Sequence, residues 1–399
     1  MADERGNIFD MPEFEGVGRI GEQFFKLKAE DLIKLPESAD LMYLPQRKAI
    51  GFKRGEFISL DGLAVSAILP QGYTRTHLPA FKKSSDAQIL PLYGYTAVVL
   101  YKNELYAAAI CTDENKKWNP AHFNTRNLPK LIRRVKKDLP DNRIVAQVAN
   151  CSLKWHCLTA QNLFYRRWEC GIPTSPVCNA NCLGCISLQA AECCPSPQSR
   201  IKFVPSVEEI ADVGIYHLNH AEDAIISFGQ GCEGEPSLQY ENISSAIKKI
   251  REKTLRGQIN INTNAGFTLG IKKIVDAGLN SMRISIISAN AENYQKYYRA
   301  GYKLSAVKDS IRYALDKNVH VSLNLLYMPG FNDRAEEFAA WKDFLAELPV
   351  QMIQIRNLNY DPDEFFKVMP RDDNFMSTKE FIREVKKFSA IGNFSHYVI

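Results

Sequence analysis

The stretch "SPVCNANCLGCIS" at residues 175–187 holds three cysteines, Cys178, Cys182 and Cys185, at the spacing C-x3-C-x2-C. A closed zinc site requires four ligands, and so does an iron–sulfur cubane that is held by protein alone. Three thiolates leave one corner of a [4Fe-4S] cluster free to bind a substrate or a cofactor. If the motif binds such a cluster, its cysteines supply three of the ligands and one iron stays open for a ligand from elsewhere.

The sequence around this motif alternates between strand and helix from about residue 163 onward. Extended apolar stretches predict strands at 162–170, 223–229, 258–264, 281–287, 319–328 and 350–359. Amphipathic stretches predict helices at 206–219, 240–254, 269–278, 304–318 and 333–348. Such a series predicts parallel strands joined by right-handed crossovers. We predict an α/β fold with a partial (β/α)6 TIM-like barrel, whose functional residues collect at the carboxyl ends of the strands.

The rest of the chain has a different pattern. The stretch 94–111 predicts a hairpin in an N-terminal α+β region, and 124–140 predicts a helix with one basic face. A helix near 377–388 predicts a helical C-terminal appendage. We expect an N-terminal region over 1–160 that recognises a substrate or a partner, the barrel over 161–360 and the appendage over 361–399.

Composition narrows the class of protein. The 399 residues are 45% hydrophobic and carry a net charge of +5. The chain begins without an apolar signal stretch and contains no run of roughly 18 apolar residues, so we expect a cytoplasmic protein with no membrane contact. All ten cysteines except Cys111 and Cys232 lie between Cys151 and Cys194, which indicates metal binding or redox chemistry and not a disulfide framework.

The cysteine motif, placed after a first strand, resembles the signature of the radical S-adenosylmethionine (radical SAM) enzymes. In that family the methionyl amine and carboxylate of S-adenosylmethionine chelate the fourth iron. The resemblance covers roughly residues 163 to 360 and does not extend to the N-terminal region. It implies a [4Fe-4S] cluster and S-adenosyl-L-methionine as cofactors of an oxygen-sensitive enzyme.

A second motif follows the second predicted strand. In "QGCEGEP" the residues Glu233, Gly234, Glu235 and Pro236 resemble the family's GGEP, whose backbone carbonyls accept hydrogen bonds from the methionyl ammonium. Glu233 replaces the usual first glycine, so its carboxylate either attracts the ammonium or points to solvent. Cys232 precedes the motif and is a candidate to line the cofactor site.

Polar residues near later strand ends are further candidates for cofactor or substrate contact. The resemblance implies that Asn262 faces the cofactor or substrate, that Ser285 bonds its ribose or carboxylate, and that residues 328–330 lie near the adenine. Asn324, on the fifth strand, is another candidate, Arg299 is a candidate partner of the methionyl carboxylate, and Arg356 points toward whatever fills the barrel mouth. For each polar side chain the alternative is a structural role that satisfies a loop.

The remaining cysteines leave several interpretations open. Cys193 and Cys194 are candidates for a hydrogen-atom donor or a radical-quenching thiol, and either one as a fourth ligand would convert the motif into a zinc site. Cys151, Cys157 and Cys170 are candidates for a second cluster. No cysteine follows Cys232 in this sequence, so we expect it to lack the C-terminal auxiliary-cluster domains of many family members, and one cluster is the simpler interpretation.

The resemblance implies reductive cleavage of S-adenosylmethionine to a 5′-deoxyadenosyl radical that takes a hydrogen atom from a substrate. It implies ferredoxin or flavodoxin as electron donor, and the basic segment 116–167 is a candidate docking surface for such acidic proteins. The substrate is unidentified; peptide, protein and RNA modification are the open classes. The competing interpretation is a non-enzymatic nucleic-acid-binding protein stabilised by zinc or by an iron–sulfur cluster, and that interpretation leaves "GCEGEP" unexplained.

Overall fold

The N-terminal part of the chain is rich in antiparallel strands. The computed structural model describes residues 1–90, 92–113, 116–188, 199–372 and 374–392. The first ten strands are β1 (Val17–Ile20), β2 (Gln23–Lys26), β3 (Leu32–Lys34), β4 (Asp40–Lys53), β5 (Glu56–Ile68), β6 (Tyr73–Arg75), β7 (Leu78–Pro79), β8 (Phe81–Lys83), β9 (Thr96–Tyr101) and β10 (Glu104–Cys111). They form one sheet in the order β2-β1-β7 and a larger one in the order β3-β10-β9-β5-β4-β8, with β6 paired to β10. The predicted hairpin is present as β9 and β10.

The second half of the chain forms a single parallel sheet with strands in sequence order. Its strands are β11 (Glu169–Gly171), β12 (Ile225–Phe228), β13 (Gln258–Thr263), β14 (Ser281–Ile286), β15 (His320–Tyr327), β16 (Met352–Asn357) and β17 (Ala390–Ile391). Every pair of neighbouring strands is parallel. The fold is therefore the α/β, TIM-like arrangement that the strand–helix alternation predicts, beside a sheet-rich N-terminal region.

Helices connect these strands. The chain contains α1 (Leu128–Asp138), α2 (Arg143–Lys154), α3 (Leu158–Tyr165), α4 (Val207–His220), α5 (Tyr240–Lys253), α6 (Thr268–Asp276), α7 (Ala291–Tyr298), α8 (Leu304–Asp316), α9 (Ala335–Glu347), α10 (Pro362–Val368) and α11 (Thr378–Val385). Helix α4 begins with a capping box, in which Ser206 and Glu209 satisfy each other's backbone N–H groups. Helix α1 turns its apolar residues inward and exposes its basic residues, as its sequence pattern predicts.

The structure corrects two details of the predicted barrel. Residues 162–165 belong to α3, and the strand β11 begins only at Glu169 and ends at Gly171, one residue beyond the predicted end. Arg166 adopts a left-handed conformation with φ of 56° and ends the helix. At the other end, the C-terminal segment contributes α11 as predicted, and it also adds β17 as a seventh strand beside β16.

The N-terminal sheets dock onto the segment that follows β16. A fully buried ion pair joins Arg47 on β4 to Asp361 at 2.6 Å. Arg19 and Asp363 form a second pair at 2.7 Å. One continuous hydrophobic core includes residues of the N-terminal sheet and of the barrel. The N-terminal region is therefore packed against the carboxyl end of the barrel. Within the part of the chain that the structure describes, no helix has the length and apolar character needed to cross a membrane.

Candidate active site

The three motif cysteines lie in the loop between β11 and α4. Cys178, Cys182 and Cys185 are each partly buried and carry free thiols. The thiol of Cys182 interacts electrostatically with the thiols of both other cysteines, so the loop brings the three sulfurs near one another. The predicted ligand set is thus gathered at the carboxyl end of the barrel, where β11 ends.

Backbone contacts from the C-terminal end of α7 hold this loop. The N–H groups of Asn181 and Leu183 donate to the carbonyls of Tyr298 and Tyr297, at 2.9 and 3.1 Å. Arg299 donates from Nε to the carbonyl of Asn181 at 2.7 Å. Arg299 is thus exposed and bound to the cysteine loop, and its predicted contact with a methionyl carboxylate stays a prediction.

The thiols have different surroundings. Burial raises the pKa of Cys182 to about 12, and the two neighbouring thiols act in the same direction. Burial also raises the pKa of Cys178. Around Cys185 burial is outweighed by hydrogen bonds from Ser187 and from Arg200, whose Nη2 lies 3.5 Å from Sγ, so the pKa of Cys185 is lowered. Arg200 places a cation beside one sulfur of the loop, where it favours a thiolate.

The "EGEP" motif runs alongside the chain that leads into Cys178. The N–H of Gly234 donates to the carbonyl of Ser175 at 2.7 Å, and the N–H of Glu235 donates to the carbonyl of Val177 at 2.8 Å. A Cβ atom at Gly234 would lie 2.0 Å from the carbonyl oxygen of Val177. Glycine is needed at this position because the backbone of the motif touches the backbone of the cysteine loop.

Glu233, the departure from the family pattern, is not exposed to solvent. Its side chain is 3% exposed, and one carboxylate oxygen accepts from the N–H and hydroxyl of Thr174 and from the N–H of Ser175. The other oxygen accepts from the N–H groups of Gly229 and Gln230. Burial raises the pKa of Glu233 to about 7, against the effect of these donors. The carboxylate thus ties the loop after β11 to the loop after β12. The alternative in which it points to solvent is wrong, and its attraction of the ammonium stays a prediction.

Glu235 makes the equivalent connection to the loop after β13. Its buried carboxylate accepts from the hydroxyl of Thr263 and, at 2.8 Å, from the N–H of Asn264. The side chain of Asn264 donates to Oδ1 of Asn179, inside the cysteine motif, at 2.7 Å. Pro236 follows and begins the short 3₁₀ helix Pro236–Gln239. Three loops at one end of the barrel are therefore joined by two buried glutamates.

Four of the predicted polar residues lie near the carboxyl ends of adjacent strands. Asn262, Ser285, Asn324 and Arg356 are each partly exposed, although most of their strand neighbours are buried. Ser285 pairs directly with Asn324 in the sheet. Asn262 donates to the carbonyl of Phe228 at 3.0 Å, so its amide also supports a neighbouring strand. We call Asn262, Ser285, Asn324 and Arg356 the barrel-mouth residues.

Beneath the barrel-mouth residues, a buried ion pair occupies the barrel interior. Glu169 on β11 forms a buried ion pair with Arg283 on β14, across the two strands that separate them. The hydroxyl of Ser227 donates to the same carboxylate at 2.7 Å, and Asn260 packs against that hydroxyl. Arg356 interacts electrostatically with Glu169 and Arg283, so its side chain also faces the interior. Charge and hydrogen-bonding groups therefore lie directly beneath the barrel mouth.

The loop after β15 faces the N-terminal region. The carbonyl of Pro329 accepts from the N–H of Gly21 at 3.2 Å, and a Cβ at Gly330 would lie 2.3 Å from that nitrogen. Met328 is fully buried, and Nη2 of Arg75 on β6 lies 3.8 Å from its sulfur. The N-terminal sheet therefore covers this loop, and its predicted position near an adenine stays a prediction.

Cys232 belongs to a different cluster of thiols. Its side chain is hydrogen-bonded to the thiol of Cys151 on α2, which also accepts from Gln147 at 3.5 Å. Cys151, Cys157 and Cys232 line one cavity of about 210 Å³ next to the cysteine loop. Cys170 is fully buried on β11 and does not line this cavity. The structure thus groups two of the three predicted second-cluster cysteines with Cys232, which the sequence assigned to the cofactor site.

Cys193 and Cys194 lie outside the described residues, so their predicted roles stay predictions. Sequence reasoning missed Glu169, Arg283 and Arg200. A signal existed for the first two, because charged residues inside otherwise apolar strands are rarely buried unless they are paired. Arg200 carries no comparable signal, since it follows the motif in a segment without a regular pattern.

Two kinds of known protein resemble this chain. A protein of Methanocaldococcus jannaschii, described as uncharacterized, is 31% identical over 157 residues, which cover 39% of this chain and 46% of that protein. The chain thus spans about half the length of that relative. Among solved structures, SuiB of Streptococcus suis bound to its precursor peptide SuiA is 12% identical, with 63% of this chain and 53% of that chain covered and a TM-score of 0.40. Methylornithine synthase is 16% identical, with 66% and 78% covered and a TM-score of 0.41.

The family comparison covers the barrel. Residues 172–341 match the model that describes the Radical SAM superfamily. The matched range contains the cysteine loop, the "EGEP" motif and strands β12 to β15. The barrel of this chain therefore carries a domain, residues 172–341, that matches the radical SAM superfamily.

Proposed function

We propose that the protein is a radical SAM enzyme with one [4Fe-4S] cluster held by Cys178, Cys182 and Cys185. The observation that supports this most strongly is the joining of the cysteine loop to the "EGEP" motif, by the contact of Gly234 with Val177 and by the carboxylate of Glu233. A thiol loop that only served a structural metal would not need this arrangement. The superfamily to which the barrel belongs implies an iron–sulfur cluster and S-adenosylmethionine.

The donor set fits a cubane cluster. Three thiols approach one another on one loop, and thiolates are the protein ligands that iron–sulfur clusters take. In a cubane, each thiolate binds a different iron. With the cluster and S-adenosylmethionine bound at these residues, one-electron reduction would cleave the sulfonium to methionine and a 5′-deoxyadenosyl radical, which would take a hydrogen atom from the substrate.

The protein's own groups would bind and orient the cofactor and the substrate and would shield them from water. The carbonyls at the edge of the "EGEP" motif suit the methionyl ammonium, because an edge of acceptors faces a cation. Ser285 and Asn324 provide hydroxyl and amide groups for the polar parts of the bound molecules. The buried walls of the barrel exclude water, so that a reactive species meets only its target.

An acidic electron carrier, ferredoxin or flavodoxin, is the proposed partner. Helix α1 exposes five cations: Lys130, Arg133, Arg134, Lys136 and Lys137. The neighbouring helices α2 and α3 line the cavity that Ile186 of the cysteine loop also lines. The basic face therefore belongs to the helices beside the cluster loop, where complementary charge would favour encounter with an acidic donor.

The test is anaerobic reconstitution with iron and sulfide, followed by dithionite and S-adenosylmethionine. We expect about four irons per chain, an S-adenosylmethionine-induced change in the EPR spectrum and formation of 5′-deoxyadenosine. Cys182→Ala should lose all three properties. Cys111→Ala should keep them, because Cys111 is exposed and lies outside the cysteine motif. Zinc bound in place of iron, or cleavage that survives Cys182→Ala, would refute the proposal.

A further inference from the structure

We propose that Arg356 anchors an anionic group of the substrate, a carboxylate or a phosphate, inside the barrel mouth. The inference rests on the proposed function for the reaction that follows, but the anion site itself is argued from this chain's geometry. It narrows the substrate to molecules that carry such a group.

The side chain of Arg356 faces the barrel interior. It lies on β16 opposite Leu326 of β15, two residues beyond the buried Gln354. Successive side chains of a strand alternate between its faces, so Arg356 and Gln354 share one face. The electrostatic interaction of Arg356 with the Glu169–Arg283 pair identifies that face as the barrel interior. The guanidinium thus projects into the space above that pair.

The charges around Arg356 in the barrel interior are not balanced. The carboxylate of Glu169 is already engaged by Arg283, by the hydroxyl of Ser227 and, at 3.4 Å, by Gln230. The backbone of Arg356 takes part in the β15–β16 ladder, but among the described residues its side chain has no hydrogen-bond or ion-pair partner. Two cations and one anion therefore meet in the interior. Burial lowers the pKa of Arg356 to about 10, so the guanidinium keeps its proton at neutral pH.

The unpaired guanidinium of Arg356 carries a free-energy cost. An unpaired charge that is only partly exposed to water is unfavourable, and proteins retain such groups where a ligand completes them. Two neighbouring polar atoms support the same conclusion. The buried Oε1 of Gln354 and the buried Oδ1 of Asn324 also lack partners among the described residues. A guanidinium matches carboxylate and phosphate with two parallel hydrogen bonds. Acceptors beside it suit hydroxyl or amine groups on the same molecule.

The experiment measures anion binding by thermal unfolding of the full-length, cluster-reconstituted protein. The probes are acetate and inorganic phosphate, each titrated against chloride at constant ionic strength. A ligand that binds only the folded state raises the unfolding midpoint in a saturable manner. We expect at least one of the two probes to do so with the unmodified protein; a response to phosphate alone or to acetate alone identifies the source of the anion.

The informative variant is Arg356→Met. It should raise the unfolding midpoint in chloride, because an unpaired charge has been removed from the barrel interior, and it should weaken the anion's binding at least about tenfold. Arg356→Lys keeps the charge and should keep a weaker response, which covers the case in which the methionine variant does not fold. Arg5→Met, at an exposed position of the N-terminal region, is the matched control and should bind the probe as the unmodified protein does.

The S-adenosylmethionine-induced EPR change is recorded for every variant. Its retention in Arg356→Met, together with loss of the anion response, supports the proposal. Loss of the EPR change in that variant would assign Arg356 to the methionyl carboxylate and overturn it, as would an unmodified protein that responds to neither probe. An unmodified protein that binds the anion but shows no EPR change would refute the proposed function and leave the anion site standing.

Discussion

Gly234 shows how one missing side chain shapes the site. Because a Cβ there would lie 2.0 Å from the carbonyl of Val177, Gly234→Ala must separate the motif from the cysteine loop. We expect the variant to retain less iron after reconstitution and to unfold at a lower temperature. Gly301→Ala is the matched control, since a Cβ at Gly301 has no neighbour within 4 Å. Equal iron content in the two variants would show that the contact does not support the cluster.

The position of the cysteine loop also depends on the charge of Glu233. Its two oxygens accept five hydrogen bonds from two loops, and an amide in its place would turn an NH₂ group toward N–H donors. Glu233→Gln should therefore lower the free energy of unfolding by about 1–3 kcal/mol and loosen the cysteine loop. Urea titration at neutral pH measures the first effect and iron retention the second. Glu241→Gln, at an exposed position on α5, should change neither.

At the scale of elements, the packing of α4 against β11 depends on a neutral histidine. His217 is buried, donates from Nε2 to the carbonyl of Trp168 at 2.7 Å, and has no partner for Nδ1. Burial lowers the pKa of His217 to about 4. The unfolded chain binds this proton near pH 6.5 and the folded chain does not, so stability is intact above pH 6.5 and falls as the pH drops toward 4.

The expected size of this effect is about 2 kcal/mol at pH 5 for two pKa values near 6.5 and 4. His217→Gln keeps an N–H donor for Trp168 without a titrating group, so its stability loss between pH 7.5 and pH 5 should be smaller by about that amount. Urea unfolding at the two pH values measures it, with His122→Gln at an exposed position as control. Parallel pH profiles for His217→Gln and the unmodified protein would contradict this account.

The elements themselves differ in how far sequence predicts them. Strands β12 to β16 follow from apolar stretches between turns, since a parallel strand is buried on both faces. The first strand does not, because "NLFY" is short and apolar and fits a buried helix as well as a strand. The two-residue β17 carries too little pattern to be recognised. Its pairing with β16 depends on the position of the whole C-terminal segment.

At the scale of the whole molecule, the N-terminal region is held by ion pairs between distant parts of the chain. Removing one partner of a buried pair leaves the other charge unpaired, at a cost of about 3–5 kcal/mol. Arg47→Met should lower stability by this order, and Arg47→Met combined with Asp361→Asn should recover much of the loss. Chemical denaturation of both variants measures it. Lys34→Met, which breaks an exposed pair with Glu104, should have little effect.

The single and double variants together decide whether the pair matters as a pair. Equal stability of the two would mean that Asp361 finds other partners when Arg47 is lost. Lys83, 3.7 Å from the same carboxylate, is the nearest candidate. Because Arg47 and Asp361 are both fully buried, removal of residues 1–160 would uncover a charged surface, so point substitutions are the sharper test of this region.

The site could be predicted only where its parts are local in sequence. The cysteine spacing and "GEP" lie within short stretches, and the barrel-mouth residues follow from the rule that strand ends carry function. The pairing of Glu169 with Arg283, 114 residues away, and the docking of Arg47 on Asp361 are long-range contacts. No local pattern specifies which distant charges meet, so these contacts required the structure.

The connections around the cysteine loop also imply an order of assembly. Ser175 meets Gly234, and Asn179 meets Asn264 from 85 residues away, so the loop takes its shape only after β12 and β13 have joined the sheet. Contacts between distant segments form late because the chain between them must first be ordered. Iron and sulfide would then be inserted into a finished barrel, and maturation of this protein would be a step separate from its folding.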